Sequence, residues 1–104
     1  MLMVDKSREI TLEKPAYRED DLNQLVADGV TTQVVFCSVK NVTRTEWADA
    51  AQLGMKAAYC ITVWADEYSG ENVAILDGVR YGIYRTYQPN SEEIELYLER
   101  KAGV

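Results

Sequence analysis

The dipeptide Asp77-Gly78, set between VAIL and VRYGIYRTY, constrains this chain more than any other pair of residues. Asp-Gly between two β-branched and aromatic runs marks a tight hairpin, because the left-handed backbone such turns need suits those residues. It therefore predicts two antiparallel strands, Val73 to Leu76 and Val79 to Tyr87. Gly82, inside the second, predicts a bulge or a close backbone approach. Four more runs share this composition: REITL (8–12), VTTQVVFCSVKNV (30–42), KAAYCITVWADEY (56–68) and EEIELYLERK (92–101). Residues of this kind suit a pleated, half-buried surface. In the last run, Ile94, Leu96 and Leu98 alternate with Glu93, Glu95, Tyr97 and Glu99.

Between the runs lie turn residues: DEYSGE at 66–71 and QPNS at 88–91. Residues 13–29, EKPAYREDDLNQLVADG, combine Pro15, the charge run Arg18-Glu19-Asp20-Asp21 and Asp28-Gly29, and read as an exposed loop. Within it, Asp21 to Ala27 could form one weak helical turn. The expectation is one mainly β domain over residues 1–104, a small six-stranded β-barrel or sandwich. One short α-helix interrupts it between the second and third long strands.

That helix lies in TRTEWADAAQLGM, residues 43–55. Thr43 and Glu46 have capping-box spacing, with Thr45 as a rival N-cap, and Gly54 supplies the stop. Glu46, Asp49 and Gln52 share one polar side, while Trp47, Ala50, Ala51 and Leu53 form the apolar side. Two readings stand. Trp47 and Leu53 could plug one end of the barrel, or the helix could be a presented surface.

Composition narrows function by exclusion. Net charge is −6, from 11 basic and 17 acidic residues, with no basic cluster. A tight grip on nucleic acid needs lysines and arginines set against phosphates, so neither DNA nor an anionic membrane is an expected ligand. No apolar run is long enough to span a bilayer. MLMVDKSREI carries an acid at its fifth position and no apolar h-region, so it reads as no signal peptide, and the expected home is a cytoplasm.

The chain has no histidine, which removes Ser-His-Asp and Cys-His arrangements, and no phosphate-binding glycine motif is present. Cys37 and Cys60 sit in apolar runs and read as two buried thiols; a disulfide would need neighbouring strands and an oxidising compartment. No metal or cofactor is expected. Glu93, Glu95 and Glu99 superficially suit paired-carboxylate hydrolysis, but alternating acids on a terminal strand read better as a wet sheet face. Tyr59, Trp64, Tyr68, Tyr81, Tyr84, Tyr87 and Tyr97 could line a glycan or base-stacking platform, or serve a core and a protein interface. The chain reads as a non-enzyme.

Two stretches taken together carry a resemblance: VFCSVKNVTRTEWADAAQLGMKAAYCITVWADEYSGE (35–71) and DGVRYGIYRTYQPNSEEIELYLERKAG (77–103). A strand leads into a helix with Thr43, Glu46, Trp47, Ala50 and Gly54 in register. A second strand ends near Glu67-Tyr68, a glycine turn introduces RYGIYRTY, and the chain closes with IELYLE. In this order the segments resemble the head-tail joining family, also called head closure or head completion proteins, of long-tailed bacteriophages. The resemblance implies a small β-barrel that is monomeric when isolated and forms a ring, expected to be dodecameric, in the virion neck. Its implied partners are the portal-adaptor (connector) protein and a tail completion or tube protein, with packaged DNA only a passing neighbour.

Under that resemblance residues 43–56 become a ring-contact or channel-facing element, anchored through Trp47. Glu46, Trp47, Asp49 and Gln52, with Glu19, Asp20 and Asp21 of the 13–29 segment, are the implied assembly residues. Both segments are expected to exchange amide hydrogens fastest. Alternatives are a tail-completion protein at the upper end of the tail, or a free-standing β-barrel module binding a ligand on its Tyr/Trp surface.

Overall fold

The computed structural model describes residues 6–100. Residues 1–5, on which the reading of no signal peptide partly rests, and 101–104 lie outside the described residues. Six strands, β1 (Arg8–Glu19), β2 (Leu25–Asn41), β3 (Ala57–Trp64), β4 (Val73–Leu76), β5 (Val79–Tyr87) and β6 (Glu93–Glu99), close into an antiparallel barrel in the order β1-β2-β3-β6-β5-β4. The expected mainly β, six-stranded barrel is what forms, with helix α1 (Arg44–Gln52) between β2 and β3.

Inward positions follow the strand alternation. Ile10, Leu12, Val35, Ile61, Leu96 and Leu98 form the heart of one core, each essentially inaccessible to solvent. Each such side chain contributes about 1.5–3 kcal/mol when fully buried. Cys37 is in this core, and Cys60 is buried on β3; both are free thiols. Burial pushes both thiols up to about 11, so they pack as small apolar groups at neutral pH.

Asp77-Gly78 makes the expected turn between β4 and β5, with φ of 51° and 79°. The bulge that Gly82 suggested lies two residues further on. Ile83 pairs with Leu98 and Arg85 with Tyr97, leaving Tyr84 as the extra residue. An extra residue breaks the alternation, and it lets Tyr84 and Arg85 both reach Glu46 of the helix.

Residues 13–29 are not a loop. β1 and β2 pair continuously from Arg8–Cys37 out to Glu19–Leu25, with one register shift between Pro15 and Tyr17. Pro15 and Asp28-Gly29, read as loop markers, are features of this ladder. Among the described residues Pro15 sits where β1 has β2 as its sole partner strand, so its missing N–H breaks no bond to a second neighbour. Gly29, at φ 78°, provides the left-handed residue of the bulge facing Ala16. Nor does Asp21 to Ala27 form a helical turn. The chain reverses at Asp20–Gln24, where the Asp20 carboxylate accepts from the N–H groups of Leu22 and Gln24, both at 2.9 Å.

The result is an arm. β1 touches β4 at Thr11, Leu12 and Glu13, and β2 touches β3 from Ser38 to Asn41. Among the described residues, the two strands beyond Lys14 and Thr31 pair with each other alone. Their base is braced by the 65–72 segment, where Lys14 Nζ donates to Ser69 O at 2.9 Å and Gln33 donates to Glu71 and to the carbonyl of Glu67.

Candidate assembly surface

One face of the β1–β2 ladder, from the barrel wall out along the arm, carries exposed apolar side chains. Alternation along β2 puts Val35 and Cys37 in the core, and so turns Val30, Val34 and Phe36 outward. Tyr17 and Leu25 continue that face, because Tyr17 follows Pro15, the partner of Val30, and Leu25 lies opposite Glu19. Leu22 sits at the tip. All six side chains are more than half exposed. A row of exposed apolar side chains on one face marks a contact site or an aggregation hazard. Sequence reasoning missed this stripe because residues 13–29 were read as solvated. The alternation Val30-Thr32-Val34-Phe36, parallel to the core set, was the available signal.

Glu19, Asp20 and Asp21 gather at the tip, but they are not equivalent. Asp20 holds the turn; Glu19 and Asp21 are exposed. Near them Arg18 and Asp28 form a loose pair at 3.8 Å.

The helix begins as expected, with the Glu46 N–H donating to Thr43 Oγ1 at 3.1 Å, and ends before Gly54, whose φ is 77°. Its apolar side does not plug the barrel. Trp47 is 57% exposed and Leu53 73%, and Ala50 is the one helix residue that is buried. The core is already filled by strand residues, so α1 lies over the outside of β3. Trp47 is therefore not the anchor.

Glu46 is the anchor instead. Its carboxylate accepts from Arg85 through both Nε (3.2 Å) and Nη2, and from the Tyr84 hydroxyl, leaving its side chain 13% exposed. Arg85 also lies over the Tyr97 ring at 3.8 Å. Tyr97 belongs to a row crossing four strands, Lys40–Cys60–Tyr97–Arg85, on the outer face beneath the helix. Arg85 holds the Glu46 carboxyl below its ordinary 4.5, with Tyr84 adding to the effect, while burial and the Glu46 bond raise Tyr84. Asp49 and Gln52 remain exposed beside this clasp, as does Trp47. The structure thus groups Glu46, Trp47, Asp49 and Gln52 on one helix and Glu19, Asp20 and Asp21 on the arm tip. It does not bring the two groups together, since they lie off opposite ends of β2.

A prediction follows from the clasp. Glu46→Gln should cost about 1–2 kcal/mol at neutral pH, because it removes a charge-assisted bond from a partly exposed pair. The folded carboxyl titrates below its unfolded value. Its stabilisation is therefore present above pH 4.5 and lost as pH falls through the folded value. The gap between wild-type and variant melting temperatures should close on acidification, and amide exchange over Arg44–Gln52 should quicken in the variant at neutral pH. An equal gap at both pH extremes would show that the clasp carries no charge-dependent stability.

Three acids of the sheet are structural. Glu93 is not on a wet face: it is 3% exposed, paired with Lys6 and accepting from Asn90 Nδ2 at 3.0 Å. The Lys6 ammonium, itself over the Trp64 ring at 3.7 Å, and the Asn90 amide compensate this buried carboxylate. Glu95 pairs with Lys40 at 3.0 Å, and Glu13, also buried, accepts twice from Arg80. The aromatic residues do not share one open platform among the described residues. Tyr59 and Tyr81 meet edge-to-face at 5.8 Å against the core, Tyr84 and Tyr97 lie under the helix, and Trp64 is capped by Lys6. No helix of the described residues is long and apolar enough to cross a membrane.

No protein-family profile and no curated protein sequence matches this chain. The surfaces themselves therefore carry the functional argument.

Proposed function

We propose that this chain is a structural protein of a bacteriophage neck. In this reading copies form a ring beneath the portal adaptor, close the DNA-filled head and offer a docking surface to the tail. The observation that supports it is the arm: a hairpin projecting from a closed barrel, with an apolar face left exposed among the described residues. A closed barrel has few open edges through which to associate, so contacts pass to what projects from it. The resemblance of residues 35–71 and 77–103 to head-tail joining proteins names the setting. The net charge of −6 suits it, because an acidic wall lets DNA pass without holding it.

Disrupting the gene in the parent phage and imaging the lysate tests this. Empty or leaking heads beside complete free tails are expected. Sealed, DNA-filled heads beside malformed tails would move the protein to the upper end of the tail, and normal virions would reject both positions.

A further inference from the structure

We infer that the arm of one copy docks on the helix end of a second copy of this chain, in a head-to-tail contact. The inference deepens the assembly reading and rests on it for the claim that copies are gathered together in use. Its physical basis is that β2 carries unsatisfied surfaces of matching character at its two ends. Along the arm, Tyr17, Leu25 and Val30 present an apolar face that Val34 and Phe36 continue onto the barrel wall and that the acids Glu19 and Asp21 edge at the tip. Just beyond the other end of β2, Trp47 and Leu53 are exposed on a helix that has no reason of its own to show them. Shallow grooves flank both, one bordered by Val42, Thr43, Arg44 and Trp47, the other by Ala50, Leu53, Met55, the exposed acid Asp49 and the Glu46–Tyr84–Arg85 clasp. The arm's acids are therefore matched by Arg44 and Lys56 rather than by this second groove.

Charge chooses the partner. Arg44 and Lys56 flank the helix and make no ion pair among the described residues, and neither do Glu19 and Asp21 at the tip. Docking arm on helix end brings these two sets together across apolar contact, the arrangement that fixes register between partners. Arm against arm would instead crowd the tip acids of two copies, like charge against like.

The geometry of the contact also decides the product. The two surfaces differ and lie at opposite ends of the longest strand, in a body 49 Å long. Such a heterologous contact repeats from copy to copy and yields a ring or a filament, whereas a self-complementary one stops at a dimer. With −6 on each copy, repulsion keeps dilute copies apart. The contact then forms where local concentration is high, as on a partner ring.

Two blocked variants test it, Leu25→Glu on the arm and Trp47→Glu on the helix, both at exposed positions, so the fold should persist and melting curves check that it does. Sedimentation velocity up to about 1 mM covers the range of weak contacts. Wild-type protein should show an average mass that climbs steadily with concentration. Each variant alone should stay at 11.8 kDa. Their equimolar mixture should rise to a dimer and stop, since one good surface survives on each. A wild type that stays monomeric at that concentration overturns the self-contact and assigns the arm to a different protein. A mixture that stays monomeric, or a variant that associates as the wild type does, overturns it too. The assembly reading fails separately, in lysate images that show normal virions.

Discussion

Excising residues 15–30 and joining Lys14 to Thr31 through an Asn-Gly turn should leave a folded barrel that no longer assembles. The expected change in unfolding free energy is under about 1 kcal/mol, because an isolated two-stranded hairpin is marginal on its own and contributes little to what it projects from. Every core side chain contributed by β1 and β2, from Ile10 and Leu12 to Val35 and Cys37, lies on the barrel side of that cut. So do the closing pairs of β1 with β4, at Thr11, Leu12 and Glu13, and the brace from Lys14 to Ser69. What the truncation removes is the tip with Glu19, Asp20 and Asp21, and Tyr17, Leu22, Leu25 and Val30 of the apolar stripe. Supplied to a gene-disrupted phage, the truncated chain should give no more infectious particles than the disrupted phage alone, while melting near the wild-type temperature. Wild-type titre from a truncated, folded chain would remove the arm from the assembly argument. A truncated chain that fails to melt cooperatively would instead make the arm part of the fold.

The arm also shows where sequence reasoning stops. Elements defined by neighbours in the chain were legible. Asp77-Gly78 makes its turn, and Thr43 and Gly54 bound the helix, because those residues act within a few positions of themselves. Elements defined by distant partners were not. Glu46 looked like one of three equivalent polar residues, since the Arg85 that fixes it lies 39 positions away and reaches it through a bulge at Tyr84. Glu93 looked solvated because its partner Lys6 is 87 positions away. The 13–29 segment failed for a related reason. Its charges and Pro15 are what a strand pair carries where most of its side chains meet water, and they resemble a loop until the register with β2 is known.

The largest change in stability should come from Leu96→Ala. Leu96 is fully buried on β6, paired across to Ile61 on one side and Thr86 on the other, in the middle of the single core cluster. Removing its side chain leaves a cavity that strands locked in a closed barrel cannot collapse around. The expected loss is about 3 kcal/mol, a fall of about 15 °C in melting temperature for a chain of this size. Leu53→Ala removes the same atoms from the helix, yet at 73% exposure it should cost less than about 0.5 kcal/mol. The pair of measurements separates two accounts of the helix that its sequence left open. If Leu53 plugged the barrel, the two losses would be alike. A large difference means that the barrel closes without the helix, and that Leu53 and Trp47 stay on the surface at no gain to the monomer. Side chains that do not stabilise the chain they belong to are free to serve a contact with another.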